Sequence, residues 1–465
     1  MSSTASAPRV GGERRNSVMS NVARGSLGNL IEWFDFYNYA IFTTYIASNF
    51  FAKGDETQAL LDTWAVFAIT FLMRPIGSWF FGRYADRKGR RAALTTSVLL
   101  MALGTLMIGA APTYDRIGIW ATVLLWVGRA ISGFSVGGEY GTTAAYMSEI
   151  ATPNRRGFYS SFQYVTLVGG QVLAALLQVV LQHVLDTEQM HTWGWRLPFF
   201  IGAAGALVVL WLRRSMDETA DVADTASGDA AAGTPAEKKG SLGLLFREYW
   251  RPFVVVVGLT IGGTTSFYVY TTLMQSYMKK VAGLDADTVS IVNLCALTVF
   301  MIVQPLYGLL SDKIGRRTML LIFGVGSLII TWPVLGAIRS VESGLAAFGL
   351  QLFALLVVAF YTSVNAVAKA ELFPTRVRAL GVGLGYGLAN AVFGGTAPYI
   401  GTWFASHGNE KGFRVYLLAC VAVSLAVYLW GLRNKTVTEL DRDFGSAWGD
   451  APDAPSSDDA RPAGR

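Results

Sequence analysis

Charged residues of both signs lie within long apolar runs of this sequence. Glu32 and Asp35 stand three residues apart, so they share one face of a helix. Arg74 and Arg129 lie in two later apolar runs, and Asp35 and Arg129 both fall near mid-depth. A charge at the centre of a bilayer costs about 2.5–3.5 kcal/mol on insertion scales, which makes such residues rare. The four groups therefore predict either a site that handles an anionic substrate and protons or a purely structural ion-pair network.

The chemistry of these groups favours a carboxylate as the substrate. Guanidinium presents a planar fork of donors that matches a carboxylate, so the two arginines are the predicted anchors. Glu32 and Asp35 are the predicted proton carriers, ionised and paired with an arginine when no substrate is bound. Glu139, in GFSVGGEYG, is either a further proton carrier or a hydrogen-bonded structural acid. No imidazole is placed to relay a proton at mid-depth, because the histidines map to outer loops or outer helix ends: His183, His191 and His407.

Further polar residues lie on runs that are expected to face a central cavity. Their hydroxyl and amide groups can adjust selectivity, although tyrosines near helix ends also form interfacial belts. The candidate lining residues are Tyr37, Gln163, Tyr164, Tyr268, Tyr270 and Asn365. Lys369 lies near the end of its run, where it can snorkel to the surface, pair with a gate acid or attract a departing anion.

The elements that position these groups are predicted to be membrane helices. Hydrophobic residues make up 52% of the 465 residues and charged residues 15%, with a mean hydropathy of +0.40. This balance excludes a secreted disulfide scaffold, a disordered regulator and a cytosolic enzyme. Apolar runs of about 20 residues are typical of membrane-spanning helices. Twelve are predicted, near 25–50, 58–82, 92–111, 117–148, 157–182, 195–214, 250–278, 287–311, 317–338, 344–371, 377–404 and 411–432.

The spans divide into two six-helix halves, at 25–214 and 248–432, joined by a polar linker at 215–247. The tail 1–24 is predicted to be cytoplasmic, and the tail 433–465 to be disordered as well as cytoplasmic. Most of the 38 Lys and Arg residues fall in loops and tails on the side of the N-terminus. The positive-inside rule therefore places both termini in the cytoplasm.

The two halves repeat a pair of motifs. GRYADRKGRR at 82–91 corresponds to GLLSDKIGRR at 308–317, and EIATPNRR corresponds to ELFPTRVR at nearly the same offset. Related halves predict a substrate site between them. An acid that faces guanidinium groups across two helices can act as a latch that forms in one conformation and breaks in another, although such arginines also determine topology. The predicted cytoplasmic gate comprises Gly82, Asp86, Arg90, Glu149, Arg156, Gly308, Asp312, Arg316, Glu371 and Arg378.

Other classes of function lack their signatures in this sequence. The dipeptide Gly-Lys never occurs, which excludes a Walker A loop. Both cysteines, Cys295 and Cys420, lie in apolar runs, and no Cys/His cluster suits a metal. The basic residues behind the net charge of +6 lie in short loops, which excludes a nucleic-acid interface. We therefore expect no cofactor, no nucleic-acid partner and no enzymatic activity.

The motifs carry a family resemblance. The paired G-x-x-x-D-[RK]-x-G-R-R loops resemble the signature of the major facilitator superfamily. Three stretches resemble its metabolite:proton symporter branch: GNLIEWFDFYNYA (28–40), RPIGSWFFGRYADRKGRR (74–91) and GRAISGFSVGGEYGTTAAYMSEI (128–150). Further stretches are similar to bacterial α-ketoglutarate permeases: RRGFYSSFQYVTLVGGQ (155–171), WGWRLPF (193–199), QPLYGLLSDKIGRRT (304–318), AFYTSV (359–364) and KAELFPTRVRALGVGLGYGLANAVFGG (369–395).

The resemblance implies an all-α membrane protein of twelve helices in two pseudo-symmetric bundles. It implies a secondary active transporter of the bacterial plasma membrane that functions as a monomer and carries a small carboxylate with protons. α-Ketoglutarate or a related dicarboxylate is the favoured cargo. The alternatives are another organic acid such as citrate or shikimate, and a zwitterion such as proline or betaine. The tail shows no heptad repeat, which counts against the zwitterion.

Overall fold

The computed structural model describes residues 29–88, 90–137, 144, 147–148, 151–215, 242–432 and 438–444. Within these ranges only the backbone is described at 82–83, 85–94, 153, 211–215 and 443–444, apart from Tyr84. Several predicted features therefore lie outside the described residues or side chains. They are Glu139, Glu149, Gly82, Asp86, Arg90, the tail 1–24, almost all of the linker and most of the C-terminal tail.

The described residues form helices joined by short connections. Eight of the helices are long and apolar enough to cross a membrane. Two shorter apolar helices and two interrupted ones, at 29–50 and 375–406, bring the helical segments in the described ranges to the predicted twelve. In chain order they are α1 (29–50), α2 (Glu56–Lys88), α3 (Arg90–Ala110), α4 (Ile119–Val136), α5 (Arg156–Val184), α6 (Leu197–Ser215), α7 (Trp250–Lys280), α8 (Ala286–Ile314), α9 (Arg316–Arg339), α10 (Gly344–Ala370), α11 (375–406) and α12 (Glu410–Gly431).

The helices pack as two related groups. In the N-terminal half α4 packs against α2 and α3, and α6 packs against α3; in the C-terminal half α7 packs against α11 and α12, and α10 against α8 and α9. The halves meet where α5 packs along α8 and where α11 packs against α2. The repeated motifs relate α2 to α8 and α5 to α11, so these two contacts are equivalent. The interface therefore has the approximate two-fold symmetry expected of duplicated halves.

Gly133 of α4 and Gly137, which follows its last residue, bring α4 close to α2. A Cβ atom at Gly133 would overlap the backbone of Thr70, and one at Gly137 would overlap the carbonyl oxygen of Arg74. Small residues let helix backbones approach closely in a membrane, where van der Waals packing drives association. This close approach sets Arg74 on α2 and Arg129 on α4 side by side.

Several helices that border the interface are interrupted near their middle. α7 contains a π-helical turn at Val269–Leu273, and α11 contains another at Asn390–Gly394. α10 is interrupted at 363–364, and α1 has a turn at Phe42. Single π-helical turns occur frequently at functional sites because they shift side chains out of the regular helical register. The interruptions indicate that the site lies where the two halves meet.

Candidate functional site

Arg74 lies in a cage of aromatic rings on the N-terminal half. Its guanidinium carbon is 4.5 Å from the ring centroid of Phe71, 4.7 Å from that of Phe36 and 5.3 Å from that of Trp33. The residue is 7% exposed, and no acceptor among the described residues bonds its Nε and Nη2 atoms. Aromatic faces attract a cation but accept no strong hydrogen bond, so the donors of this arginine are left for another group.

Arg129 is similarly buried on the other side of Phe36. Its Nε donates to the Thr70 hydroxyl at 3.2 Å, and its guanidinium lies 4.5 Å from the ring centroid of Tyr39 and 5.5 Å from that of Phe36. Its Nη2 has no acceptor. The two arginines thus share one ring between them, and each keeps donors that no described side chain uses.

Asp35 faces away from the arginine cage. Its Oδ2 accepts a hydrogen bond of 2.7 Å from the Thr105 hydroxyl on α3, and its Oδ1 has no hydrogen-bond partner in the part of the chain that the structure describes. Gly202 on α6 leaves the space for this carboxylate, because a Cβ there would lie 2.5 Å from Oδ1. The acid is 3% exposed and lies inside the N-terminal half, with Arg129 within electrostatic range.

The predicted pairing of Asp35 with an arginine is not found among the described residues. Asp35 is buried and bonded to Thr105, and Arg129 acts on it only through its electrostatic field. The reason is helical geometry. Successive residues rotate by about 100° around a helix, so Trp33 and Phe36 form an aromatic stripe from which Asp35 is turned away. The aromatic stripe faces the arginines, and cation–π contacts occupy the place expected for ion pairs.

Two tyrosines, one from each half, lie beside the Arg74 cage. Tyr37 stacks on Trp33 with ring centroids 5.8 Å apart, and Tyr268 meets Phe71 edge-on at 5.3 Å. Both are fully buried, and their hydroxyls approach each other without reaching a hydrogen bond. A buried hydroxyl without a partner is costly, which marks this point as a place for a polar ligand.

A second polar cluster joins the halves between α5 and α10. The Asn365 amide donates to the Tyr164 hydroxyl at 2.8 Å. Tyr386 on α11 has its hydroxyl within hydrogen-bonding reach of Tyr164 and Asn390. Gln163 is buried next to Tyr164 along α5. The structure thus brings four of the six predicted lining residues to the interface: Tyr37, Tyr268, Tyr164 and Asn365.

Tyr270 does not face the interface, and one of the three alternatives for Lys369 is excluded. Tyr270 lies within the π-helical turn of α7 and faces α9, with its hydroxyl 3.5 Å from the Thr331 hydroxyl. Lys369 does not snorkel to the surface. It is fully buried, and its ammonium lies 4.1 Å from the ring centroid of Tyr386.

Sequence reasoning missed several residues of the site. Tyr386 and Asn390 lie in a glycine-dense stretch that carries no recognisable binding motif, and Thr105 is a single hydroxyl in an apolar run. Phe71 could not be predicted either, because nothing in the sequence distinguishes this phenylalanine among the 27 of the chain. Their roles follow from the neighbours that packing gives them.

At the end of the molecule that carries the repeated loops, which we call the motif end, one arginine joins two acids. Arg316 contacts Asp312 at 2.9 Å and Glu371 at 3.3 Å. Glu371 lies just beyond α10; burial raises its pKa, and the guanidiniums of Arg316 and Arg156 oppose that rise. This part of the predicted network is therefore present within the C-terminal half.

The link between the halves differs from the predicted latch. Asp312 accepts hydrogen bonds from the backbone amides of Gly157 at 2.8 Å and Phe158 at 3.0 Å, in the first turn of α5. Its arginine partner, Arg316, belongs to its own half. The first amides of a helix have no acceptor within the helix and carry a partial positive charge, so they attract a carboxylate as an arginine would.

Two glycines permit this contact. Gly157 and Gly308 pack so closely that a Cβ on either would lie 2.6 Å from the carbonyl oxygen of the other, and one on Gly157 would also lie 2.8 Å from Asp312 Oδ1. At the opposite end, α5 and α7 are joined by a hydrogen bond of 2.7 Å between Gln275 and Gln178. α5 therefore contacts the C-terminal half near both of its ends, through α8 at the motif end and through α7 at the opposite end.

We expect Gly157→Ala to open the motif end. The added methyl group requires α5 and α8 to separate, at a cost of about 1–3 kcal/mol for overpacking, and transport should slow by about tenfold. Opening is measured in detergent by maleimide labelling of Ser160→Cys, which is buried one turn further along α5, in protein without Cys295 and Cys420. Gly349→Ala is the control, since a Cβ there meets nothing within 4 Å. Unchanged labelling and uptake would disprove the role of this contact.

The described part of the C-terminal tail contacts the motif end. A short helix, Glu439–Phe444, lies there, and its Asp441 forms a buried ion pair with Arg156. Arg156 also donates to the Leu440 carbonyl at 3.3 Å. Its counterpart Arg378 instead donates to backbone carbonyls of its own loop, at Ala370 and Phe373. The two related arginines thus have different roles, because only one faces the returning tail.

Two helical halves around buried cations, with contacts that close the site at its ends, define a multi-pass membrane transporter. The sequence matches the family described as sugar (and other) transporter over residues 22–444. The chain belongs to this family, a branch of the major facilitator superfamily, and is a transporter rather than an enzyme.

The chain is similar to several named transport proteins over most of its length. It is 49% identical to the alpha-ketoglutarate permease of Escherichia coli K12, over 92% of this chain and 96% of that protein. It is 34% identical to the citrate-proton symporter of Klebsiella pneumoniae, over 89% and 90%. It is 32% identical to the proline/betaine transporter of E. coli K12, over 86% and 81%.

Solved structures show the same fold. A D-xylose-proton symporter superimposes with a TM-score of 0.67 at 20% identity, over 89% of this chain and 97% of that chain. A proton:xylose symporter bound to 6-bromo-6-deoxy-D-glucose superimposes with a TM-score of 0.70 at 17% identity, over 93% and 100%.

Proposed function

We propose that this chain is a proton symporter that carries a small dicarboxylate, α-ketoglutarate or a close analogue, across the bacterial plasma membrane. It acts as a monomer, with both termini and the motif end in the cytoplasm. The observation that carries this proposal is the presence of two buried guanidinium groups, on Arg74 and Arg129, each with a donor that no acceptor among the described residues satisfies. The 49% identity to an alpha-ketoglutarate permease supports the choice of cargo.

A carboxylate is the group that suits these donors best. Arg74 offers Nε and Nη2, a pair that can hold both oxygens of one carboxylate in a bidentate contact. The nearby hydroxyls of Tyr37 and Tyr268 can donate to the same substrate, and they come from opposite halves. Because these side chains are buried, each of these hydrogen bonds is stronger than it would be in water.

Asp35 is the proposed proton carrier. Since it forms no ion pair, it can take up a proton without breaking one. When Asp35 is ionised, its charge partly offsets the positive field of Arg129; when it is protonated, that field is available to the substrate. Proton and substrate then favour each other's binding, and the coupling is reciprocal.

Transport follows from alternate opening of the two ends. The motif end is held by Asp312 on the first turn of α5 and by the contact of Gly157 with Gly308, and the opposite end is held by Gln178 and Gln275. Each contact is small enough to break without disturbing either bundle. The halves can therefore rock about a central site, as in other transporters built from repeats.

A zwitterionic cargo is less well supported. Such a substrate needs an anion at its cationic end, and Asp35 faces Thr105 inside the N-terminal half rather than the interface. Citrate is a closer alternative, because it also presents carboxylates to the arginines.

The test is uptake of labelled α-ketoglutarate by purified protein in liposomes. We expect accumulation that depends on an inward proton gradient and competition by dicarboxylates, but none by proline or betaine. Citrate and shikimate complete the panel of competitors. Accumulation of proline or betaine together with no uptake of α-ketoglutarate would contradict the proposed function.

A further inference from the structure

Asn390 is a buried amide that the C-terminal half brings to the interface. It begins the π-helical turn of α11 and is 1% exposed. Its Oδ1 accepts a hydrogen bond from the Thr264 hydroxyl on α7. Its Nδ2 bonds no acceptor in the described part of the chain, although the Tyr386 hydroxyl lies nearby. A buried donor without an acceptor is costly, which marks this amide as a place where a ligand oxygen can bind.

The turn that carries Asn390 packs against the arginine cage. A Cβ atom at Gly395, which follows the turn, would lie 2.5 Å from Cδ2 of Phe71, one ring of that cage. A Cβ atom at Gly394 would lie 2.5 Å from Asn390 Oδ1 and 3.0 Å from the ring of Tyr268. Because both positions lack a side chain, the amide lies beside Tyr268 and the turn lies on Phe71.

We propose that Asn390 donates a hydrogen bond to the 2-oxo group of the substrate while Arg74 binds the carboxylate next to it. This assignment rests on the proposed function, since it names the part of the substrate that the C-terminal half recognises. In a 2-oxo acid the carbonyl carbon is bonded directly to the carboxylate carbon. A donor to the carbonyl must therefore lie beside the group that holds the carboxylate, and the π-helical turn of α11 meets this requirement.

The chemistry of an amide suits a carbonyl better than a second carboxylate. A carbonyl oxygen is uncharged and accepts readily from a neutral N–H, whereas a buried carboxylate requires a cation or several donors. The hydrogen bond also ties the substrate to both halves, because Arg74 lies on α2 and Asn390 on α11. Selectivity for a 2-oxo acid over the simple dicarboxylate of the same length is therefore a property of α11.

The experiment compares two dicarboxylates of the same length and charge. Glutarate has a methylene group where α-ketoglutarate has its carbonyl. Binding of each to purified wild-type, Asn390→Ala and Asn390→Asp protein is measured by isothermal titration calorimetry. We expect the wild type to prefer α-ketoglutarate by at least about tenfold, and both variants to prefer it by about twofold or less.

The two variants separate a binding role from a structural one. Asn390→Asp keeps an oxygen for the Thr264 hydroxyl but has no N–H, whereas Asn390→Ala loses both groups. If the residue only joined α11 to α7, Asn390→Asp would keep the preference of the wild type. A disturbance of packing would weaken both ligands alike and leave their ratio unchanged. A preference that persists in either variant would therefore overturn the assignment.

Asn293→Ala on α8 is the matched control. Asn293 is also 1% exposed, and its Nδ2 likewise bonds no described acceptor, but its Oδ1 accepts from Gln351 at 2.9 Å, so it faces α10 rather than the arginine cage. It should keep the preference, and a thermal unfolding curve of each variant confirms folding. Equal binding of both ligands by the wild type would overturn the assignment while the proposed function stands. Failure of the wild type to bind α-ketoglutarate would instead reject the proposed function, and the assignment with it.

Discussion

Uptake by the Arg74→Ala and Arg129→Ala variants is expected to fall by about 100-fold or more, because each change removes a buried cation that meets the substrate carboxylate. Lysine at either position should not restore full uptake. At position 74 an ammonium keeps the attraction of Trp33, Phe36 and Phe71, yet it cannot reproduce the adjacent Nε and Nη2 donors. Initial rates of labelled uptake in liposomes, normalised to reconstituted protein, provide the measurement.

The exposed pair of Lys53 with Asp115 provides a control for the loss of a positive charge. Lys53 is 73% exposed in its side chain, so Lys53→Ala should leave uptake close to the wild-type rate. Normal uptake by Arg129→Lys would show that this residue acts as a point charge and does not need its fork. Normal uptake by Arg74→Ala would place the carboxylate site elsewhere.

Asp35→Asn is expected to abolish accumulation of substrate against a gradient while leaving exchange intact. Asparagine keeps an oxygen for the Thr105 hydroxyl and resembles the protonated acid in size and charge. The substrate should therefore still bind, and the loaded carrier should still move between its two conformations. Because the side chain can no longer gain or lose a proton, the proton gradient loses its coupling to the substrate.

Two uptake assays separate these steps. Net uptake is measured with an imposed inward proton gradient, and exchange is measured with unlabelled substrate inside and no gradient. Thr105→Val serves as the companion variant, since it removes the hydroxyl that bonds Asp35 but keeps the acid. Full gradient-driven accumulation by Asp35→Asn would exclude Asp35 as the proton carrier. The same result for Glu32→Gln would direct attention to Glu139.

The architecture could be predicted from the sequence because it depends on properties that are additive along the chain. The length and number of apolar runs are set by the thickness of the bilayer, which every span must match. The repeated loops identify the duplicated halves without knowledge of any contact. The rarity of charges in apolar runs was enough to single out Arg74, Arg129 and Asp35, since each is retained against a large desolvation cost.

The partners of those charges were decided by the tertiary structure. The sequence could place Asp35 and Arg129 at similar depth, but depth says nothing about rotation around a helix axis. Asp35 and Phe36 are neighbours on α1. Asp35 nevertheless faces Thr105 on α3, whereas the ring of Phe36 faces both arginines. Lys369 shows the same limit, because its position near a helix end suggested the surface while packing placed it over Tyr386.

Contacts made by the backbone could not be predicted from the sequence either. Asp312 finds its partner in the first amides of α5, and the approach that permits it depends on the missing side chains of Gly157 and Gly308. Asp441 pairs with Arg156, which lies 285 residues earlier in the sequence. The sequence shows which residues are charged and which are small. Helix rotation and close packing, which arise only when many helices fold together, decide which of these groups meet.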